Sequence, residues 1–163
     1  MKSMASAKLV VTGGRDFLVG GAPSYSGTDV EIRNKLESWK YARKALLYKA
    51  LDAFNQHTPV LHLAHGGARG VDTVAGEWAE ERGIRCQIFP ANWKFHGKSA
   101  GHKRNVEMLG TFKPHYLLAF PGGVGTEHCV SSAVHFRRIK IVRVLIEGSE
   151  FRFERELQLT PLR

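Results

Sequence analysis

The sequence predicts an α/β domain with a single Rossmann-like, doubly wound parallel sheet of about five core strands. Three observations predict it. Short apolar runs alternate with longer amphipathic segments, three of those runs end in Gly-Gly, and no linker divides the chain. Strand, helix, strand repeated in this way implies parallel strands joined by right-handed crossovers.

The strand-like runs are Lys8 to Gly14, Pro59 to Gly67, Ile84 to Pro90, His115 to Gly123 and Ile139 to Ile146. Helical patterns fill the gaps from about Glu31 to Gln56, Val71 to Arg82, Ala100 to Leu109 and Glu127 to Arg138. In the first, Leu36, Trp39, Ala42, Leu46, Leu47, Ala50 and Phe54 recur at three- and four-residue spacings and predict one buried face. The expected strand order is 3-2-1-4-5. Leu18 to Asp29, rich in Gly, Ser and Pro, reads as a loop that could cover a site. The tail, residues 147–163, reads either as an edge strand carrying Phe151 and Phe153 or as a segment that docks on another subunit.

With 163 residues and 43% hydrophobic content the chain is expected to form one domain, residues 1–163, with its core in 8–146. Cys86 and Cys129 stand far apart, which fits neither a disulfide framework nor a metal-binding pair and predicts a reducing cytoplasm with both thiols buried. No apolar run reaches the ~20 residues of a membrane span. Lys and Arg outnumber Asp and Glu by 24 to 15, a balance that favours phosphorylated or polyanionic partners or serves solubility alone. The eight histidines form no metal-ligand spacing, so neither metal nor cofactor is expected.

In an open α/β sheet, ligands bind beyond the carboxyl ends of the strands, near the switch in strand order. Those ends read "TGGRD", "HGGARGVD" and "PGGVGT". Glycine lets a ligand approach the backbone, and the helix that follows presents unpaired N–H groups to an anion. The expected ligand contacts are therefore Gly13, Gly14, Arg15, His65, Gly66, Gly67, Arg69, Lys98, Arg104, Asn105, Pro121, Gly122, Gly123, Gly125 and Thr126, with Thr126 as helix N-cap or further donor. Asp72 accepts from ribose hydroxyls or caps the helix that begins there. Trp93 either stacks on a base or packs over the sheet edge.

The segments "VVTGGRDF", "AHGGARGVDTVAGEWAEERGI", "FPANWKFHGKSAGHKRNVEML" and "LLAFPGGVGT", in this order, resemble the YspA-like branch of the SLOG superfamily. That superfamily is Rossmann-like and includes the lonely-guy phosphoribohydrolases and the DNA-processing protein A family. The resemblance implies a nucleotide or nucleotide-derived ligand, which the protein would sense, sequester or process, and by analogy a homo-oligomer. The phosphoribohydrolases cleave the N-glycosidic bond of a nucleoside monophosphate with a PGGxGTxxE glutamate and an arginine from a preceding helix. Arg104 matches that arginine. Cys129 stands where the glutamate belongs, with His128 before it, which leaves Glu127 and Glu107 as the candidate carboxylates to act with Arg104. Neighbouring helical residues do not face each other, so Cys129 is expected to pack rather than react. The stretch "GGARGVD" is also similar to a signature of DNA-processing protein A, and single-stranded DNA is the alternative ligand, although most aromatics fall in predicted strands and helix faces.

Overall fold

Leu9 and Val11 turn to one face of the first strand and Val10 to the other, all three without exposure, because successive strand side chains alternate. That strand lies inside a sheet covered on both sides. The computed structural model describes residues 5–156. Its strands are β1 (Ala7–Thr12), β2 (Val60–His65), β3 (Arg85–Ile88), β4 (Tyr116–Ala119), β5 (Lys140–Glu147) and β6 (Glu150–Glu156). Their order is β3-β2-β1-β4-β5-β6, so the expected 3-2-1-4-5 order holds for the five parallel strands. The sixth pairs antiparallel to β5 and comes from the tail, whose edge-strand reading is the one realised. Residues 157–163 of that tail lie outside the described residues.

Helices α1 (Asp29–His57) and α2 (Val71–Glu81) cover the face of Leu9, Val11, Leu63 and Leu118 with Leu47, Leu51, Phe54, Val74 and Trp78. Helices α4 (Ala100–Phe112) and α5 (Val124–Val134) cover the face of Val10, Ala64, Leu117 and Ile141 with Met108, Leu109, Phe112 and Val130. Between β3 and α4 run a single turn, α3 (Trp93–His96), and a 3₁₀ turn at Gly97–Ser99. The chain thus winds outward from β1 over one face and then, after β3, crosses to the other.

Helix α1 departs from its expected face. Leu46, Leu47, Ala50, Leu51 and Phe54 are buried, but Leu36 and Trp39 are only half-buried and Ala42 is exposed. A 29-residue helix is about 43 Å long at 1.5 Å per residue, about twice the length of a six-residue strand, so its first half runs past the sheet. Its start is fixed locally. Thr28 accepts the Glu31 N–H at 3.3 Å and the Glu31 carboxylate accepts the Thr28 N–H at 2.8 Å. Thr28→Ala is expected to cost about 1 kcal/mol of stability, read by urea denaturation.

Of the two cysteines, Cys129 is buried as expected and Cys86 is exposed. The correction follows from topology, because β3 is an edge strand and all four of its residues are exposed. Among the described residues no helix is long and apolar enough to cross a membrane.

Candidate functional site

The chain leaves β1 toward one face of the sheet and leaves its neighbour β4 toward the other, which opens a crevice between their carboxyl ends. Two backbone bonds hold its floor: Phe120 N–H to the Thr12 carbonyl and Gly14 N–H to the Pro121 carbonyl, both 2.9 Å. The glycines here divide into two kinds. A Cβ on Gly13 would press into Val71 at 2.7 Å, and one on Gly122 would lie 2.7 Å from the Gly14 nitrogen, so these glycines allow elements to pack closely. A Cβ on Gly123 or Gly125 would meet nothing within 4 Å. Those two leave space for a ligand.

Helix α5 begins at Val124, three residues earlier than expected, with Gly123 as an N-cap that has no side chain to offer. Its first intrahelical bond is Glu127 N–H to the Gly123 carbonyl at 3.1 Å. The amides of Val124, Gly125 and Thr126 therefore have no helical partner and sit at the positive end of the helix dipole. Thr126, 4% exposed, is the third helical residue and not the N-cap.

These loops and α4 enclose a cavity of about 590 Å³. Arg15, Arg43, Lys98 and Arg104 line it, against the carboxylates Asp16 and Asp72. Asp16 is already paired with Arg69 at 3.0 Å on the exposed rim. Arg104 is anchored from three sides: Nε donates to Asn105 Oδ1 at 3.0 Å, and Nη1 donates to the carbonyls of Gly66 and Phe89. Asn105, 5% exposed, in turn donates to the Gly125 carbonyl at 3.2 Å and so ties α4 to the start of α5. A second tie is the flat stack of His102 on His128, centroids 3.8 Å apart.

Asp72 is 6% exposed, and its Oδ2 accepts the N–H groups of Gly66 at 3.1 Å and Ala68 at 3.2 Å. It is thus the clamp of the β2–α2 loop as well as part of the cavity wall. Burial pushes its pKa up to about 6 against the opposing pull of those N–H groups and of Arg104 and Arg15. At the mouth, Trp93 is half exposed and the Arg15 guanidinium lies 5.4 Å from its ring centre.

Of the expected contacts, Gly13, Gly14, Arg15, Gly66, Lys98, Arg104 and Asn105 line the cavity, as do Asp72, Pro121, Gly122, Gly123, Gly125 and Thr126. Five expected residues do not. His65 shares strand parity with Leu63 and so turns to the α2 side, where Nδ1 accepts the Gly67 N–H at 2.9 Å and Nε2 lies over Gly76. Burial and the nearby Arg104 lower its pKa to about 4. Gly67 lies beside His65 with φ +74°, a conformation the turn itself requires. Arg69 is spent on Asp16 at the rim, and Glu107 is exposed on α4. Glu127 is gripped by Arg143 at 2.8 and 3.0 Å, with Glu156 on the same guanidinium. The early start of α5 makes Glu127 the fourth helical residue and turns it toward β5 and β6. Arg143 lowers its pKa. Glu127→Gln is expected to change stability by less than about 1 kcal/mol in urea titration, since the carboxylate is 58% exposed.

Arg43 is a lining cation that sequence reasoning missed. Its Nε donates to the Phe17 carbonyl at 3.1 Å, and its guanidinium lies 4.1 Å from the Phe17 ring centre. The signal was a basic residue placed four after Trp39 and four before Leu47, on the stripe that packs.

The sequence model of the YspA, cpYpsA-related SLOG family matches residues 7–96, more than half of the chain. The chain belongs to this family. Its SLOG match runs from β1 to α3 and takes in the Gly13 to Arg15 loop, the Gly66 to Asp72 loop and Trp93. Arg104, Asn105 and the Gly122 to Thr126 loop lie beyond the matched span and join this SLOG site through the fold. The chain is 42% identical over 80 residues to the gene 61 protein of Mycobacterium phage D29, covering 45% of this chain and 63% of that protein. It therefore spans less than two thirds of the length of that phage relative. No solved structure matches this SLOG chain.

Proposed function

We propose that the protein binds a nucleotide or nucleotide-derived ligand in the crevice between β1 and β4, with a phosphate against the start of α5. The observation that carries this reading is the combination of uncapped first-turn amides, open glycines at 123 and 125, and four lining cations in one cavity. SLOG membership points to the same nucleotide-related class. Oxygens of a phosphate accept from backbone N–H groups, while Arg15 and Lys98 supply charge that the two carboxylates do not neutralise. Sensing or sequestration fits this arrangement better than hydrolysis through Glu127 or Glu107, since neither lines the cavity.

The test is mass spectrometry of small molecules released on denaturing the purified protein, followed by incubation of the emptied protein with nucleoside mono- and diphosphates. An intact nucleotide that survives incubation, with binding lost in Arg104→Ala, is the expected result. Free base and ribose phosphate would mean an N-glycosidase. No bound or bindable nucleotide would overturn the reading.

One observation favours a second ligand class. From Arg82 to Val106 there is no acidic residue, and the segment exposes Trp93 and Phe95 beside Lys94, Lys98 and Lys103. Cations with exposed aromatics suit single-stranded nucleic acid. Affinity for an oligonucleotide would fall steeply with salt, whereas a mononucleotide held by backbone amides would respond weakly.

A further inference from the structure

The clamp carboxylate is only half used. Both loop amides bond the same oxygen of Asp72, Oδ2, and Oδ1 accepts no hydrogen bond among the described residues. Yet the side chain is 6% exposed, and it lines the cavity. Oδ1 is not among the side-chain atoms sealed from solvent, so it opens on the cavity and takes its hydrogen-bond partner from whatever fills that space, water or ligand.

A free carboxylate oxygen repels a phosphate, so the group that meets it must be a hydrogen-bond donor without negative charge. Position narrows the choice. Asp72 opens α2 after β2, and the phosphate-binding amides open α5 after β4, with β1 between them. Two strand spacings make roughly 9.6 Å between those strands, and both groups reach inward across it. A sugar hydroxyl follows a 5′-phosphate within that reach. The base comes further out, where Trp93 offers an aromatic face at the mouth.

We infer that Asp72 Oδ1 accepts a hydrogen bond from a ribose hydroxyl, which makes the site selective for ribonucleotides over their deoxy counterparts. This rests on the nucleotide reading of the cavity above. A site built around a hydroxyl rejects the analogue that lacks it because its own polar group is left unpaired. The expected discrimination is about ten- to a hundredfold in affinity, the range of a hydrogen bond to a charged group.

The decisive experiment is calorimetric titration of the emptied protein with AMP, GMP, CMP, UMP and ADP, each beside its 2′-deoxy and 3′-deoxy form. Asp72→Asn provides the control. The asparagine oxygen takes over the two loop amides, and its amide group, a donor, replaces Oδ1. Tighter binding of the ribonucleotide than of at least one deoxy form, with the difference lost in Asp72→Asn, supports the inference. Equal binding of all three forms overturns it while leaving the nucleotide reading intact. Binding of no nucleotide in any form overturns both. If the variant does not fold, the comparison of ribo and deoxy ligands on the unaltered chain still decides the question.

Discussion

Replacing Gly70 by alanine is expected to destabilise the protein by at least about 3 kcal/mol, lowering its midpoint of thermal unfolding by roughly 6 to 12 °C. Gly70 has φ +82° and ψ −124°, a conformation that costs any residue with a side chain. It also has no room. A Cβ there would collide with the Gly14 carbonyl and lie 2.6 Å from the Arg15 carbonyl oxygen. Those are backbone atoms of the crevice wall, so relief requires the β1 loop to move. Gly125→Ala is the contrasting case, since its Cβ meets nothing and the residue lies in the first turn of a helix. There alanine is expected to raise stability by up to about 1 kcal/mol. Urea titrations of both variants check the pair, and equal losses would show that open space around Gly125 is filled in the folded protein.

The second large effect is a gain. In the folded chain Asp72 keeps its proton up to about pH 6, against 3.8 for an ordinary aspartate. The folded state therefore binds more protons than the unfolded state between those values, and stability falls as pH rises through them. The penalty is complete above about pH 6 and absent below about 4. Asp72→Asn removes the charge while keeping the loop amides bonded, so at pH 7.5 the empty variant should be more stable by on the order of 3 kcal/mol. At pH 4 the advantage should nearly vanish. Denaturation at the two pH values measures it. A variant less stable than the parent at pH 7.5 would show that attraction to Arg104 and Arg15 outweighs the cost of burial. A stability gain joined to lost ligand affinity is what a carboxylate kept for binding produces.

Much of this was legible in the residues. The five parallel strands followed from apolar runs short enough to be strands, separated by segments long enough to cross over, and their order from the Rossmann-like pattern such a sheet adopts. The glycine loops were legible too, because a turn at the carboxyl end of a parallel strand is where that fold places a ligand. What failed was orientation. His65 required knowing which parity of β2 faces α2, and that is set by the register of neighbouring strands. The start of α5 was hidden because Val124 and Gly125 have poor helix propensity, and packing of Cys129, Val130 and Ala133 against the sheet draws the helix back over them. That shift carried Glu127 away from the crevice and into the grip of Arg143. The exposed first half of α1 was misread for the opposite reason, its apolar spacing continuing beyond the end of the sheet that could bury it.

The bond from Gly14 to Pro121, beside that from Phe120 to Thr12, joins the two loops that a ligand would have to part if binding required opening. Because the loops are stitched to each other, the walls of the crevice are already in place before anything arrives. Association should then be a single-step process, with an observed rate that rises linearly with ligand concentration and shows no plateau. Discrimination among ligands would appear in how slowly they leave.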